Sequence, residues 1–137
     1  MSIEDNKKVV MDYFAASAAG DLEKLDQVLS DDCKRWMIPS TPFSGEANKE
    51  EMMAAFKAVS GASDGPFANE VEYVTAEDNR VSVTAKSHLK LRSGKVYANV
   101  YHMLFFVDGG KITYIREYFD SAHFNEIFTP EEIAKLA

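Results

Sequence analysis

VDGGKITYIREYFD, residues 107–120, is the stretch that decides the fold. Asp108, Gly109 and Gly110 form the kind of turn that joins paired strands. Beyond the turn an extended chain sends successive side chains to opposite faces. Ile112, Tyr114, Arg116, Tyr118 and Asp120 fall on one face, and Thr113, Ile115, Glu117 and Phe119 on the other. Glu117 thus shares an apolar face with Ile115 and Phe119. A carboxylate in that setting is either a functional base, its pKa raised by lost hydration, or half of a buried ion pair with a cation such as Lys86 or Arg35.

Working outward from this hairpin, the second half of the chain keeps the period of two. Strands are predicted over 70–77, 80–91, 96–107 and 111–120, joined by EDN, RSG and DGG. Joins this short predict an antiparallel meander. The first half reads differently. Ser2 and Asp5 open a helix whose Ile3, Val10, Tyr13, Phe14 and Ser17 fall roughly on one face and which stops at Gly20. Asp21 caps a second helix carrying Leu22, Leu25, Val28 and Leu29. CKRWMI, residues 33–38, is a short strand candidate, and Pro39 and Pro42 make the next stretch a loop. Asn48 with Glu51 has the spacing of a capping box for a third helix ending near Val59. SGASDGP, residues 60–66, reads as a loop, and TPEEI, residues 129–133, opens a short final helix. Helices first and strands second predict one α+β domain over residues 1–137, with helices packed on a single sheet.

The 137 residues include 46% hydrophobic and 12% aromatic side chains, enough for a real core. A formal net charge of −7 argues against nucleic acid and anionic membrane surfaces as partners. The opening MSIEDNKKVV lacks the basic-then-apolar order of a signal peptide, and a single cysteine, Cys33, cannot make an internal disulfide. The expectation is a reducing cytoplasm, with Cys33 a small core residue rather than a nucleophile. No metal or nucleotide motif appears, so no cofactor is expected.

Three segments together carry a family resemblance. DYFAASAAGDLEKLDQVLSDD (residues 12–32), PSTPFSG (residues 39–45) and VDGGKITYIREYFD resemble the nuclear transport factor 2 superfamily, which includes ketosteroid isomerases, limonene epoxide hydrolases and SnoaL-like cyclases. The resemblance implies a cone: a curved antiparallel sheet wrapped on three N-terminal helices around an internal pocket. The superfamily also holds proteins without catalysis, so residues must decide the function.

The resemblance implies a role for several positions. Glu117, within Arg116-Glu117-Tyr118-Phe119-Asp120, lies where the epoxide hydrolases carry a catalytic Asp. Lys86 and His88 lie where that family carries an Arg-x-Asp pair. Alternation alone assigns Thr84, Lys86 and His88 to a solvent face, whereas the resemblance turns them inward. His88 would then be the partner acid or base and Lys86 a substrate contact, with the hydrolases' Asp-Arg-Asp relay absent. Tyr13 matches the isomerases' oxyanion-hole tyrosine, and Tyr101 lies about where they carry the second donor. Tyr13 is read equally well as helix-to-sheet packing. The isomerases' general-base Asp matches Met37, which takes no proton, so the base would have moved to Glu117 or His88. Asn99 would orient substrate or water, and Arg35 either enters the pocket mouth or stands in solvent.

Met37, Met52, Met53, Phe56, Met103, Ile115 and Phe119 complete an apolar wall suited to a hydrophobic small molecule. The function expected is cofactor-independent proton transfer of isomerase or lyase type. A binding module or scaffold without chemistry is the alternative, and epoxide hydrolysis a further one. Val100, His102, Leu104, Phe106, Tyr114 and Tyr118 would form an outer sheet face, through which a homodimer is expected.

Overall fold

The computed structural model describes residues 1–136. The chain folds as α1 (Ile3–Ala19), α2 (Leu22–Val28), β1 (Leu29–Met37), β2 (Gly45–Asn48), α3 (Lys49–Ala62), β3 (Ala68–Glu77), β4 (Arg80–Lys90), β5 (Val96–Tyr97), β6 (Val100–Asp108), β7 (Lys111–Phe119), α4 (Ser121–Ile127) and α5 (Pro130–Ala134). The main sheet runs β2-β1-β7-β6-β4-β3, with β5 paired to β4. It is a curved, unclosed α+β cone of the kind expected.

Local chemistry sets the helix limits. Ser2 Oγ accepts from the Asp5 amide at 3.1 Å while the Asp5 carboxylate accepts from the Ser2 amide at 3.0 Å, satisfying two orphan donors at the start of α1. Gly20 ends α1 in the left-handed region at φ 66°, which side chains disfavour. Asn48 and Glu51 make the same reciprocal pair at α3, at 2.9 and 3.0 Å.

The elements after α2 differ from expectation in four places. First, β1 starts at Leu29, with a register irregularity before Lys34, and pairs with β7 in parallel. The sheet is therefore mixed rather than wholly antiparallel. Second, the proline loop returns as β2, four residues long and antiparallel to β1. Third, the strand expected over 96–107 breaks at Ala98 and Asn99 into β5 and β6. Fourth, Asp120 caps an unexpected α4, its Oδ1 accepting from the amides of Ala122 at 3.0 Å and His123 at 3.2 Å.

Two apolar clusters result. One joins Val10, Tyr13 and Phe14 of α1 to Val81, Val83, Met103, Phe105 and Ile115 of the sheet. The other joins Leu89, Leu91 and Tyr97 to Phe124, Ile127 and Phe128 of the C-terminal segment. The cavity described next lies along the seam, lined by members of both.

Candidate functional site

A cavity of about 290 Å³ opens between the helices and the sheet. Its polar lining includes Tyr13 from α1, Arg35 from β1, Tyr97 from β5, Tyr101 from β6 and Glu117 from β7. Phe14, Leu25, Phe56, Met103, Phe124 and Phe128 supply much of the apolar wall. Register explains the convergence. In the β1–β7 pair Arg35 stands beside Ile115 and Met37 beside Glu117, while in the β6–β7 pair Met103 stands beside Glu117. Arg35 and Glu117 are thus diagonal neighbours on one inner face.

Glu117 is half-buried, and its carboxylate makes no hydrogen bond and no ion pair within 4.0 Å among the described residues. Loss of hydration pushes its pKa above the ordinary carboxylate value, and the opposing pull of Arg35 is the smaller effect. The Glu117 charge reaches Tyr13, Tyr97 and Tyr101, whose ionisation it opposes in each case, so the four groups surround one space. Burial is the larger cause of all three tyrosine shifts, with Tyr97 pushed up to about 12. These phenols are therefore neutral hydrogen-bond donors at physiological pH.

Arg35 is half-buried, with one nitrogen sealed from solvent. Its Nε has no hydrogen-bond partner and no solvent contact. It lies between Cys33 and Met37, both buried, so alternation carries its side chain inward. Cys33 itself is a core thiol whose pKa is pushed up to about 12, chiefly by burial.

Tyr97 and its supports are well satisfied. Asn99 Nδ2 donates to Tyr97 Oη at 2.9 Å and to the Asp120 carbonyl at 3.0 Å. Asn99 Oδ1 accepts from the amides of Val100 at 2.7 Å and Asp120 at 3.2 Å. The Tyr97 and Tyr101 hydroxyls are hydrogen-bonded to each other. His123 stacks on Tyr97 with ring centres 5.5 Å apart, and its Nε2 accepts from the Ala98 amide at 3.1 Å. A neutral His123 therefore carries its proton on Nδ1.

The expected site residues separate into three groups. Glu117, Tyr13, Tyr101, Arg35, Phe56 and Met103 line the cavity. Met37 lines a second, adjoining one, while Ile115 is sealed in the core and Phe119 stacks on Tyr101 with ring centres 5.4 Å apart. Asn99 is buried and saturated, so it anchors Tyr97 and the strand break instead of meeting a ligand.

Lys86 and His88 require correction. Both are exposed on the outer face of β4, whose inner face carries buried Val83, Ala85, Ser87 and Leu89. Lys86 pairs with Glu72 of β3 at 3.6 Å, far from Glu117 in the sheet order. Alternation, not the resemblance, set the direction of these side chains. The residues that the sequence reading missed are Tyr97, Phe124 and Phe128. Phe124 and Phe128 were detectable, because DSAHFNEIF, residues 120–128, begins with a capping Asp and spaces Phe124, Ile127 and Phe128 at helical intervals.

The description SnoaL-like domain matches residues 10–115. The chain belongs to the SnoaL-like domain family. Among solved structures it is similar to Bal32a from a soil-derived mobile gene cassette, at 23% identity and a TM-score of 0.80, over 90% of this chain and 96% of that one. It is similar to PrhC from Penicillium brasilianum NBRC 6234 at 13% identity and a TM-score of 0.85, over 98% and 93% of the two chains. It is also similar to an LEH-like epoxide hydrolase from M. tuberculosis at 19% identity and a TM-score of 0.74, over 90% and 89%. At these identities the likeness establishes the fold alone. No curated protein matches the chain in sequence. Within this SnoaL-like cone, α1, β1, β5, β6 and β7 each supply one of the polar groups named in the cavity.

Proposed function

We propose that this SnoaL-like protein is a cofactor-independent acid–base enzyme of isomerase or lyase type, acting on a hydrophobic small molecule in the cone. One observation carries the reading: Glu117 is a carboxylate in a mostly apolar cavity without a hydrogen bond or a cation within 4.0 Å among the described residues. Burying an ionisable group costs several kcal/mol unless it is used or paired, roughly in the range known for unpaired polar groups. A carboxylate with a raised pKa is also a stronger base near neutral pH.

In the reaction we propose, a Glu117 Oε takes a proton from a carbon next to a substrate carbonyl. The C–H electron pair moves into a C=C bond, and the carbonyl oxygen becomes an enolate oxygen. Tyr13 and Tyr101 hydroxyls donate hydrogen bonds to that oxygen. Asn99 donates to Tyr97, and with the Tyr97 proton on Tyr101 oxygen the Tyr101 proton is left for the substrate. In a β,γ-unsaturated substrate the enolate electrons pass through the adjacent C=C, and Glu117 returns its proton to the γ-carbon, which is isomerisation. Where the β-carbon bears a hydroxyl, the enolate pair forms the α–β C=C, the C–O pair leaves with the oxygen, and Glu117 returns its proton there to release water, which is elimination. His88 takes no part, so Glu117 carries the proton in both directions.

The test is Glu117→Gln, assayed against hydrophobic ketones, β-hydroxy carbonyls and epoxides. Turnover of any accepted ketone or β-hydroxy carbonyl should fall by about 10²–10⁴. Unchanged turnover removes Glu117 as the base. A panel bound but never turned over supports the binding-module alternative, and epoxide opening alone supports the hydrolase alternative.

The same reading includes a homodimer through the outer sheet face and a cytoplasmic setting. Val100 and Tyr118 are exposed there, and Arg116 stacks on Trp36 at 4.0 Å while donating to Tyr118 Oη at 3.0 Å. An apolar, aromatic face of this kind supports self-association, which sedimentation of Tyr118→Glu against the parent chain checks. The buried free thiol of Cys33 suits a reducing compartment. No helix is long and apolar enough to cross a membrane among the described residues.

A further inference from the structure

A second cavity of about 350 Å³ adjoins the first. Met37, Phe43, Val59, Phe124, Phe128 and Ile133 form most of its wall. Among its described lining residues Arg35 alone is polar or charged. Arg35 also lines the first cavity, as do Ala55, Val59, Phe124 and Phe128. The two chambers therefore meet at a neck where Arg35 stands, with Glu117 on one side only.

The guanidinium has no protein partner to explain its place. Its Nε is buried and unbonded, and neither a hydrogen bond nor an ion pair within 4.0 Å reaches any of its nitrogens among the described residues. A guanidinium whose Nε is sealed at an apolar neck without an acceptor is costly to hold. Its planar fork matches a carboxylate in two parallel hydrogen bonds. A phosphate would carry a further charge, and no second cation lines either chamber among the described residues. The apolar chamber matches an alkyl or aryl tail.

We propose that the protein binds an amphiphilic carboxylate, its carboxylate held by Arg35 at the neck and its apolar tail in the second chamber. The tail selects length, because the chamber is finite and each buried methylene contributes about fourfold in affinity. Phe43, exposed at the rim and edge-on to Phe124 at 6.1 Å, borders the way in.

Titration calorimetry with hexanoate, octanoate, decanoate and uncharged decanol tests the proposal on the full chain. Decanoate should bind at least tenfold more tightly than decanol. Arg35→Met should lose at least tenfold for decanoate and leave decanol unchanged, which also shows that the variant is folded. Ala58→Phe, which fills the second chamber, should weaken decanoate at least tenfold and spare hexanoate. Decanol binding as tightly as decanoate, or Arg35→Met binding decanoate like the parent, overturns the proposal. The two readings separate cleanly. If Glu117→Gln keeps full turnover while decanoate binding still needs Arg35, the acid–base mechanism falls and this proposal stands. If Glu117→Gln loses turnover while decanoate ignores Arg35, the reverse holds.

Discussion

Two polar regions lie within a few residues of each other and are built on opposite terms. In the clasp around Asn99, side-chain and backbone groups are paired: Asn99 holds Tyr97, Val100 and Asp120, and Ser87 closes the break from the neighbouring strand. In the hollow around Glu117, neither the carboxylate nor the Arg35 Nε has a hydrogen bond among the described residues. A saturated buried network specifies structure, whereas an unsaturated one is held at a cost by the rest of the fold. The difference separates residues that shape the cone from residues that the fold leaves without hydrogen-bond partners among the described ones.

The largest structural effect expected is in the clasp. Asn99→Ala leaves the Tyr97 hydroxyl, the Asp120 carbonyl and two amides short of partners, and should cost about 2–4 kcal/mol in urea denaturation. A loss below about 0.5 kcal/mol would put the clasp on the same footing as the hollow and break the contrast.

The hollow should respond in the opposite sense. The folded state raises the pKa of Glu117, so ionising it opposes folding. That contribution is most favourable below the unfolded value of 4.5 and is lost as pH rises through the folded value. Glu117→Gln should therefore melt higher than the parent chain at neutral pH, by roughly 2–6 °C for an effect of about 1 kcal/mol. The gap should close as pH falls towards 4. Paired melting curves across this range read it directly, and a parent chain that is the more stable at pH 7 would mean Glu117 is a structural ion-pair partner.

The smallest effect concerns the outer face of β4. Lys86→Ala and His88→Ala should each change turnover by less than about twofold and stability by less than about 0.5 kcal/mol, as for exposed positions generally. A larger loss of turnover in either would return those residues to the mechanism.

How much was legible in the sequence follows from the range of the interactions involved. Helix caps at Ser2, Asp21, Asn48 and Thr129 are local pairings of neighbouring residues, and all four form. Alternation placed Glu117 on the inner face, and it also placed Lys86 and His88 outside. The inward reading of the latter pair came from resemblance and ignored that Val83, Ala85 and Leu89 need the core. For Arg35 the solvent reading was favoured over the pocket mouth, yet its neighbours Lys34 and Trp36 point out while Cys33 and Met37 point in. The parallel β1–β7 pairing and the break at Asn99 depend on partners distant in the chain, such as Asp120 and Ser87, and leave no local mark.

Among the described residues Glu117 is an unpaired carboxylate lining the cavity, and loss of hydration raises its pKa. A pH titration of its side-chain carbon by NMR, assigned with Glu117→Gln, tests this without any knowledge of the substrate. An apparent pKa above the ordinary value of 4.5 is predicted, with a further rise in Arg35→Met as the one nearby cation is removed. An apparent pKa at or below 4.5 that jumps only when Arg35 is replaced would mean that the two form a structural ion pair, contradicting the account.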